Sequence, residues 1–375
     1  MSAHSSIPAQ LTRLTDLDDA RAVATPGARL EAMRAAARSV RDRIASTGVA
    51  VSVRTFSLAT FPYPAGFGFN GAALSPAPFV MLRNRMQLVQ VEANEQLVNI
   101  LVNPTDPMRS IEAPFFARQI ARYGDFLARR VMATVNGSPA KGLATLGIAP
   151  EDIDYITFDH LHVQDVRGLL GTIAPEPGFH SPTDPLLPNA KLLVQKEELR
   201  IFEALHPMQD YWYVRDCIRG VDPQKIVVLD GDYTLGAGFA IIKTPGHTEG
   251  NHSLVVNTDR GLWTISENGV AVESYAPECS EIPGLRRHAR DAGVEVVLNG
   301  NTRENSLDQY ISMVVEKTIA DPCPQRPEFP QHFPSSEIVK SRLAPGLSPT
   351  FTYGSLTHGE LRTSRCREEP VAVSG

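Results

Sequence analysis

Stretches in which apolar and polar positions alternate run along most of the chain, and they predict a mixture of helices and strands. Residues 31–45 carry apolar side chains at helical spacing and Gly48 follows as a stop signal, which predicts an α-helix. From residue 49 the period changes to two, so 49–61 is predicted as a strand. Further strands are predicted at 79–92, 97–102, 153–158, 190–194, 226–229, 239–243, 253–257, 262–265 and 295–298, and further helices at 114–132, 141–146, 197–213, 282–292 and 307–318.

The order of these elements predicts an α+β protein. It suits two mostly antiparallel sheets with helices outside, a four-layer αββα sandwich, although the pattern alone supports only a mixed α and β class. We expect an N-terminal arm with a helix at 1–48, a main domain at 49–320 and a Pro-rich C-terminal extension at 321–375. Because the extension has no strong period, it is predicted to be disordered or to wrap a neighbouring subunit.

The composition is that of an ordinary globular protein and argues against several function classes. The chain of 375 residues is 42% hydrophobic, which is enough for a large core. A net charge of −6 and dispersed basic residues argue against a nucleic-acid groove or an anionic membrane surface. No apolar stretch approaches the ~20 residues needed to span a bilayer, and the first residues lack the apolar centre of a secretion signal.

Cysteine usage predicts a cytoplasmic protein with reduced thiols. The cysteines are widely spaced and form no CxxC pair, so a cysteine metal site is not expected. They are Cys217, Cys279, Cys323 and Cys366. We expect neither nucleic acid nor membrane as a partner, and the long termini favour a homo- or hetero-oligomer.

Two short segments supply three imidazoles and a carboxylate. Residues 159–165 read DHLHVQD after an apolar run, so His160 and His162 point to the same side of an extended segment. Residues 244–247 read TPGH after another such run and offer His247. Three neutral imidazoles can bind zinc and leave a position for water, whose pKa falls from ~15.7 towards ~7. The pattern therefore predicts a hydrolytic metal site.

Aromatic side chains cluster in two further places, with two interpretations. The Pro- and Gly-rich loop 62–78 carries Tyr63, Phe67 and Phe69, and a second cluster spans 211–213. The loop is either a surface connection anchored by its own aromatics or the aromatic wall of a pocket. A wall would favour an apolar or aromatic small-molecule substrate.

The first metal segment resembles the metallo-β-lactamase-fold hydrolases. Residues 146–171, LGIAPEDIDYITFDHLHVQDVRGLLG, are similar to the block that leads into the family motif HxHxDH, and residues 244–250, TPGHTEG, are similar to the family's TPGHTPG turn. Two later steps match less closely, at Glu267 for the bridging aspartate and at Asn301 for the last histidine. The resemblance covers about residues 49–315 in layout and implies the αββα sandwich of that fold.

The resemblance implies one intact metal site and one altered site. The intact site would use three imidazoles and a carboxylate, from His160, His162, His247 and Glu267. The altered site differs from the family at three positions, Gln164, Asp165 and Asn301. A neutral amide is a poor zinc ligand, whereas Asp165 is a good one. We therefore expect a divalent metal, one zinc ion first, with manganese or iron suited to an oxygen-richer second site.

Residues beside the metal segment are assigned roles as well. Asp165 is expected to bind the metal, to orient the attacking water or to accept its proton. Asp159 either holds an imidazole N–H or is an exposed turn residue. Arg167 either meets a substrate anion or pairs with Asp165. Gln164 and Asn301 are expected beside the metal or the substrate.

Together these features predict a metal-dependent hydrolase that uses activated water on a small organic substrate, such as an ester, lactone, amide or activated aryl ether. The altered second site leaves two alternatives. One is a non-catalytic or scaffold subunit of a hetero-oligomer with a degraded metal site. The other is a di-iron redox enzyme on the same fold, with Asp165 and Glu267 as oxygen ligands.

Overall fold

Two β-sheets pack face to face in the computed structural model, which describes residues 4–126, 128, 133–342 and 344–363. Helices cover the outer face of each sheet. The predicted α+β class and the four-layer αββα sandwich are therefore confirmed.

The strands divide between a first sheet of nine and a second sheet of six among the described residues. In chain order they are β1 (Leu11–Leu14), β2 (Ser52–Pro64), β3 (Phe79–Ala93), β4 (Gln96–Val102), β5 (Thr134–Val135), β6 (Tyr155–Thr157), β7 (Lys191–Gln195), β8 (Ile226–Leu229), β9 (Asp232–Leu235), β10 (Phe239–Lys243), β11 (His252–Thr258), β12 (Gly261–Ser266), β13 (His332–Pro334), β14 (Ser336–Val339) and β15 (His358–Gly359).

The first sheet combines both strand directions. Its order is β15-β2-β3-β4-β6-β7-β8, with β14 paired to β3 and β5 paired to β2. Strands β2, β3 and β4 are antiparallel, whereas β4, β6, β7 and β8 are parallel. Five of the eight strand pairs described in this sheet are antiparallel, so the prediction of mostly antiparallel sheets is confirmed. The parallel half was not predicted, and it forms because the chain returns between these strands through connections that contain helices.

The second sheet has the order β1-β9-β10-β11-β12-β13. It is antiparallel except for the pair β12 and β13. The main core lies between the two sheets, where Val89 and Ile100 of the first sheet and Ile241 and Val256 of the second are fully buried. Burial of a side chain of this size stabilises the fold by about 1.5–3 kcal/mol, so this layer holds the sandwich together.

The helices supply the outer layers. They are α1 (Asp18–Arg21), α2 (Pro26–Ser46), α3 (Ala65–Gly68), α4 (Pro107–Ser110), α5 (Pro114–Tyr123), α6 (Pro139–Leu146), α7 (Arg167–Leu170), α8 (Lys196–Arg200), α9 (Leu285–Ala292) and α10 (Ser306–Ile319). Helices α2 and α10 bury Val40 and Val315 against Val255 of the second sheet. Within the described part of the chain, none of them is long and apolar enough to cross a lipid bilayer.

Three predicted elements differ from the observed ones. Helix α5 ends at Tyr123 because Gly124 adopts a φ of 83°; the predicted helix 114–132 extends to residues 127 and 129–132, which lie outside the described part. Helix α8 ends at Arg200 and continues only as a 3₁₀ turn to Glu203. The predicted strand 295–298 forms no strand, although its two valines are buried.

The C-terminal extension pairs with both sheets. The prediction that it is disordered or wraps a neighbouring subunit is wrong for its described part, because β13, β14 and β15 complete unpaired edges of β12, β3 and β2. Residues 364–375, with Cys366, lie outside the described part. The boundaries 1–48, 49–320 and 321–375 stay a prediction.

Candidate metal centre

Three imidazoles meet where two strands end. His160 and His162 follow β6 of the first sheet, and His247 follows β10 of the second. Their potential ligand atoms all lie within 4.8 Å of one another. The ring centroids are separated by 4.7 Å between His160 and His162, by 4.4 Å between His160 and His247, and by 5.0 Å between His162 and His247. The two segments that the sequence singled out therefore come together in one buried cluster.

Hydrogen bonds fix the loop that carries the first two histidines. The backbone N–H of Leu161 donates to the carboxylate of Glu198 at 2.7 Å. The backbone N–H of Val163 donates to the carbonyl of Trp212 at 2.8 Å, and Val163 has a φ of 55°. This left-handed backbone turns the chain immediately after His162, so the loop leaves the cluster at once.

The TPGH turn requires its glycine. Gly246 has a φ of 143°, and a Cβ at this position would lie 2.2 Å from the Cα of Gln309. The backbone of His247 is held at both ends, because its N–H donates to Asn268 at 3.3 Å and its carbonyl accepts from Thr302 at 2.7 Å. Glycine therefore lets α10 pack directly behind the third imidazole.

The electrostatics of the cluster suit a cation. Burial lowers the pKa of His162 and His247 well below 6.5, so both are neutral and can offer lone pairs. Burial also acts to lower the pKa of His160, but the negative charges of Asp159, Glu267 and Glu198 raise it to about 9. The carboxylates thus favour a positive charge at His160, and a metal cation bound by this imidazole would take the place of its proton.

A divalent metal fits these residues. Nδ1 of His162 lies 3.3 Å from Nε2 of His247, so these two nitrogens face each other within the cluster. Because both rings are neutral, each has one nitrogen with a lone pair that can bind a metal ion. Three imidazole nitrogens form a donor set that zinc prefers.

Two carboxylates border His160. Oδ1 of Asp159 lies 3.3 Å from Nδ1 of His160, and Asp159 is buried rather than exposed. Asp159, His160 and Glu267 also form a second group of ligand atoms within 4.8 Å. Burial raises the pKa of Glu267 to about 7, with His160 acting to lower it and Asp159 to raise it. The structure therefore brings Glu267 beside the histidines, as the order of motifs predicted.

A cavity of about 540 Å³ opens over the cluster. His160, His162 and His247 line it, together with aromatic side chains. These aromatics are Phe61, Tyr63, Phe115, Phe116 and Trp212. Of the loop aromatics, Tyr63 belongs to the cavity wall, whereas Phe69 is fully buried in a core cluster. The interpretation as an aromatic wall therefore holds for the start of the loop and for Trp212.

Sequence reasoning missed a large part of this wall. Helices α4 and α5 and the turn between them contribute Met108, Phe115 and Ile111, which are far from the metal motifs in the chain. The pair Phe115 and Phe116 at the start of a predicted helix was the available signal. The sequence around Asn84 and Ser336 did not indicate that these polar residues line the cavity, because each lies in a strand without a recognisable motif.

Comparison with known sequences finds lactonases. The chain is 30% identical over 118 residues to an N-acyl homoserine lactonase from a Bacillus species, and 28% identical over 118 residues to one from Bacillus cereus. Each alignment spans 32% of this chain and 38% of the relative, which is less than two thirds of the relative's length. No family model matches the chain.

Solved structures give further matches. A dizinc quorum-quenching lactonase matches with a TM-score of 0.45 at 14% identity, covering 83% of this chain and 95% of that one. A probable metal-dependent hydrolase from Staphylococcus aureus matches with a TM-score of 0.45 at 15% identity, covering 71% of this chain and 82% of that one. Because both scores are below 0.5, the fold assignment rests on sheet topology and motif placement.

Two sheets between helix layers, an HxH segment after one strand and a TPGH turn after another occur together in this chain. These are the features that the resemblance to the metallo-β-lactamase-fold hydrolases implies. The chain departs from the pattern of that family in the residues at the second metal position.

Asp165 is engaged elsewhere. Its Oδ1 accepts hydrogen bonds from the backbone N–H of Arg167 at 3.0 Å and from Nε of Arg167 at 2.9 Å, and its Oδ2 accepts from Nη2 at 2.6 Å. Arg109 lies 3.3 Å from Oδ2, and Glu176 binds both guanidinium groups. The structure therefore does not bring Asp165 to the imidazoles, and of the two options for Arg167 it favours pairing with Asp165.

Gln164 and Asn301 lie at the cavity instead. Both line it, and each has a buried side-chain oxygen without a hydrogen-bond partner among the described residues. His252, five residues after His247, bonds Thr157 at 2.9 Å and is not part of the cluster. Amides therefore line the cavity at the two positions where the resemblance implies further metal ligands.

Proposed function

We propose that this chain is a metal-dependent hydrolase that holds one divalent ion and opens a lactone or ester bond in substrates with an apolar part. The observation that carries the proposal is the convergence of three buried imidazoles at an aromatic-walled cavity. Zinc is the ion that this donor set fits best.

The chain's own residues have distinct tasks in this proposal. His160, His162 and His247 hold the ion, and Glu267 borders it on the side of the second sheet. A bound divalent ion polarises a carbonyl oxygen and lowers the pKa of water. The unpartnered oxygens of Gln164 and Asn301 can accept hydrogen bonds from substrate. Phe61, Trp212 and their neighbours exclude water and receive the apolar part.

The lactone or ester class is supported by two independent features. The relatives in sequence are N-acyl homoserine lactonases, over the 118 residues that align. The cavity also has about the volume of a small-molecule site and a largely apolar wall. An aryl ester or an acyl lactone would place its carbonyl at the imidazoles and its apolar part against the aromatics.

A single ion is favoured over two. Both oxygens of Asp165 bind guanidinium groups, and Gln164 and Asn301 are neutral amides. The di-iron alternative needs oxygen-rich ligation at both metal positions, and the carboxylates that remain, Asp159 and Glu267, both lie beside His160. The scaffold alternative is disfavoured by the complete three-histidine cluster.

Metal content and turnover test the proposal together. Protein purified without added metal, then titrated with Zn²⁺, should bind one ion per chain and hydrolyse members of a panel of lactones and aryl esters. His247→Ala should lose both properties, whereas His180→Ala, at an exposed loop histidine, should keep both. A wild-type protein that binds no ion, or a loaded protein inactive on the whole panel, would contradict it. Cytoplasmic location and homo- or hetero-oligomeric assembly belong to the proposal as predictions from the sequence.

A further inference from the structure

The C-terminal segment 332–339 crosses from the second sheet to the first beside the metal cluster. Its strand β13 pairs with β12, and its strand β14 pairs with β3. Ser335 lies between them. Its backbone N–H donates to Ser266 of the second sheet at 3.2 Å, and its carbonyl accepts from Arg85 of the first sheet at 3.1 Å. The backbone of Ser335 is therefore fixed by both sheets.

The hydroxyl of Ser335 belongs to a closed polar network. It donates to Oδ2 of Asp159 at 2.8 Å and accepts from Nδ2 of Asn103 at 2.9 Å. The side-chain oxygen of Asn103 in turn accepts from the backbone N–H of Asp159 at 3.1 Å. Exposure is 1% for Ser335 and 2% for both Asp159 and Asn103, so water does not compete for these bonds.

This network aims the Asp159 carboxylate at a metal-cluster imidazole. One oxygen of Asp159 is held by Ser335. The other accepts from the backbone N–H of His160 at 3.2 Å and lies within ion-pair distance, 3.3 Å, of Nδ1 of the same residue. A carboxylate at one ring nitrogen selects the tautomer that carries its proton there, which leaves the other nitrogen as a lone-pair donor. Ser335 is the one member of this network that comes from the C-terminal extension.

We propose that Ser335 is a positioning residue for the metal centre, and that the C-terminal extension thereby completes the site. Ser335 acts through Asp159 on the orientation and tautomer of His160. The inference rests on the proposed three-histidine metal site. It adds that a segment more than 80 residues beyond His247 sets the affinity of that site for its ion.

Metal affinity measured on the full chain tests this role. Zn²⁺ dissociation constants would be determined by competition with a chromophoric chelator at pH 7, for wild type, Ser335→Ala, Asp159→Asn and the double variant. Loss of a partner behind a metal-binding histidine typically weakens binding 10- to 100-fold. We expect about tenfold for Ser335→Ala and at least as much for Asp159→Asn. The double variant should be no weaker than Asp159→Asn, because Ser335 acts through that carboxylate.

A matched control separates positioning from general loss of structure. Ser280 is another buried serine whose hydroxyl donates to a buried carboxylate, Glu273, at 3.0 Å, outside the cluster. Ser280→Ala should change the dissociation constant less than twofold, even if its thermal midpoint falls as far as that of Ser335→Ala. If Ser335→Ala does not fold, Ser335→Cys keeps the volume with a weaker donor and should show a smaller loss of affinity.

The possible outcomes are distinct. If wild type binds no Zn²⁺, the metal site itself is wrong, and this inference is wrong with it. If wild type binds and folded Ser335→Ala binds equally well, only the role of Ser335 is overturned. Equal losses in Ser335→Ala and Ser280→Ala would also overturn it, as would losses that simply add in the double variant.

Discussion

The buried ion pair behind the metal centre gives a prediction that can be worked from the structure. Arg85 is 1% exposed and its Nη1 lies 2.9 Å from the carboxylate of Glu337 in β14. Its guanidinium also donates to the carbonyls of Gly354 at 3.0 Å and Pro334 at 2.7 Å. The guanidinium carbon stacks 3.8 Å from the centre of the Phe333 ring. Arg85 therefore ties three parts of the C-terminal extension to the first sheet.

Arg85→Met should lower the free energy of unfolding by about 4 kcal/mol. Removing one partner of a buried pair costs about 3–5 kcal/mol, because the remaining charge has lost its partner. The two carbonyls lose donors as well, at about 1 kcal/mol each, although such losses are not fully additive. The free energy of unfolding of most native proteins is only about 5–15 kcal/mol, so a loss of this size should be measurable by urea denaturation.

The double variant Arg85→Met, Glu337→Leu provides the decisive comparison. It removes both charges, so its free energy of unfolding should lie less than about 2 kcal/mol below that of wild type. The single variant should also be pH-sensitive. Burial already raises the pKa of Glu337 while Arg85 opposes the rise, so the unpaired carboxyl binds its proton more readily folded than unfolded. The stability of Arg85→Met should therefore decrease, relative to wild type, as the pH rises from 5 to 8.

Two results would refute this reasoning. One is a loss below about 1 kcal/mol for Arg85→Met, because a buried carboxylate cannot be left unpaired so cheaply. The other is a double variant as unstable as the single one, which would mean that packing, not charge, holds the extension. Arg215→Met, in an exposed pair with Asp210, should leave the urea midpoint unchanged and serves as the control.

Three further predictions concern the site and its surroundings. Gly246→Ala should abolish Zn²⁺ binding in a titration, because its Cβ would overlap the backbone of Gln309 at 2.2 Å; unchanged binding would contradict the role of this turn. Trp212→Ala should raise KM for aryl esters about tenfold with one ion still bound, since it removes part of the cavity wall; an unchanged KM would exclude the aromatic subsite. Glu176→Gln should lower the urea midpoint more at pH 7 than at pH 3.5. The reason is that the hydrogen bonds from Arg109 lower the folded-state pKa of Glu176 below 4.5, so the stabilisation is complete above pH 4.5 and decreases as the pH falls towards the folded-state pKa; equal losses at both pH values would contradict this.

Patterns in the sequence predicted the helices and strands that are long enough to show a local period. The apolar run at 97–102 matches β4, and the helical stripe at 31–45 lies within α2. The strands of the extension were not predictable from pattern, because β13 and β14 contain only three and four residues. Such short strands form because distant edges accept them, and a local period of that length does not distinguish strand from loop.

The same reasoning explains which site residues were found. His160, His162 and His247 belong to local motifs, and the fold brings the ends of β6 and β10 together. The placement of Asp165 required knowledge of Arg109 and Glu176, which come from segments 56 residues before it and 11 residues after it. The spacing of Asp165 and Arg167, two residues apart, already indicated that this carboxylate could pair with a guanidinium and not with a metal ion.

The changes at the second metal position are consistent with one another when charge is considered. A second divalent ion would bring two positive charges beside the first, and anionic ligands would have to offset them. Here Gln164 and Asn301 present neutral amides at the cavity, so these two positions supply no negative charge to offset a second ion. The carboxylate of Asp165 is instead compensated by Arg167 and Arg109, and Glu176 balances the second guanidinium. Replacing the amides alone would therefore leave Asp165 bound to its arginines. A two-ion site that uses Asp165 would require removal of this ion-pair cluster as well, and this requirement supports the proposal of one ion.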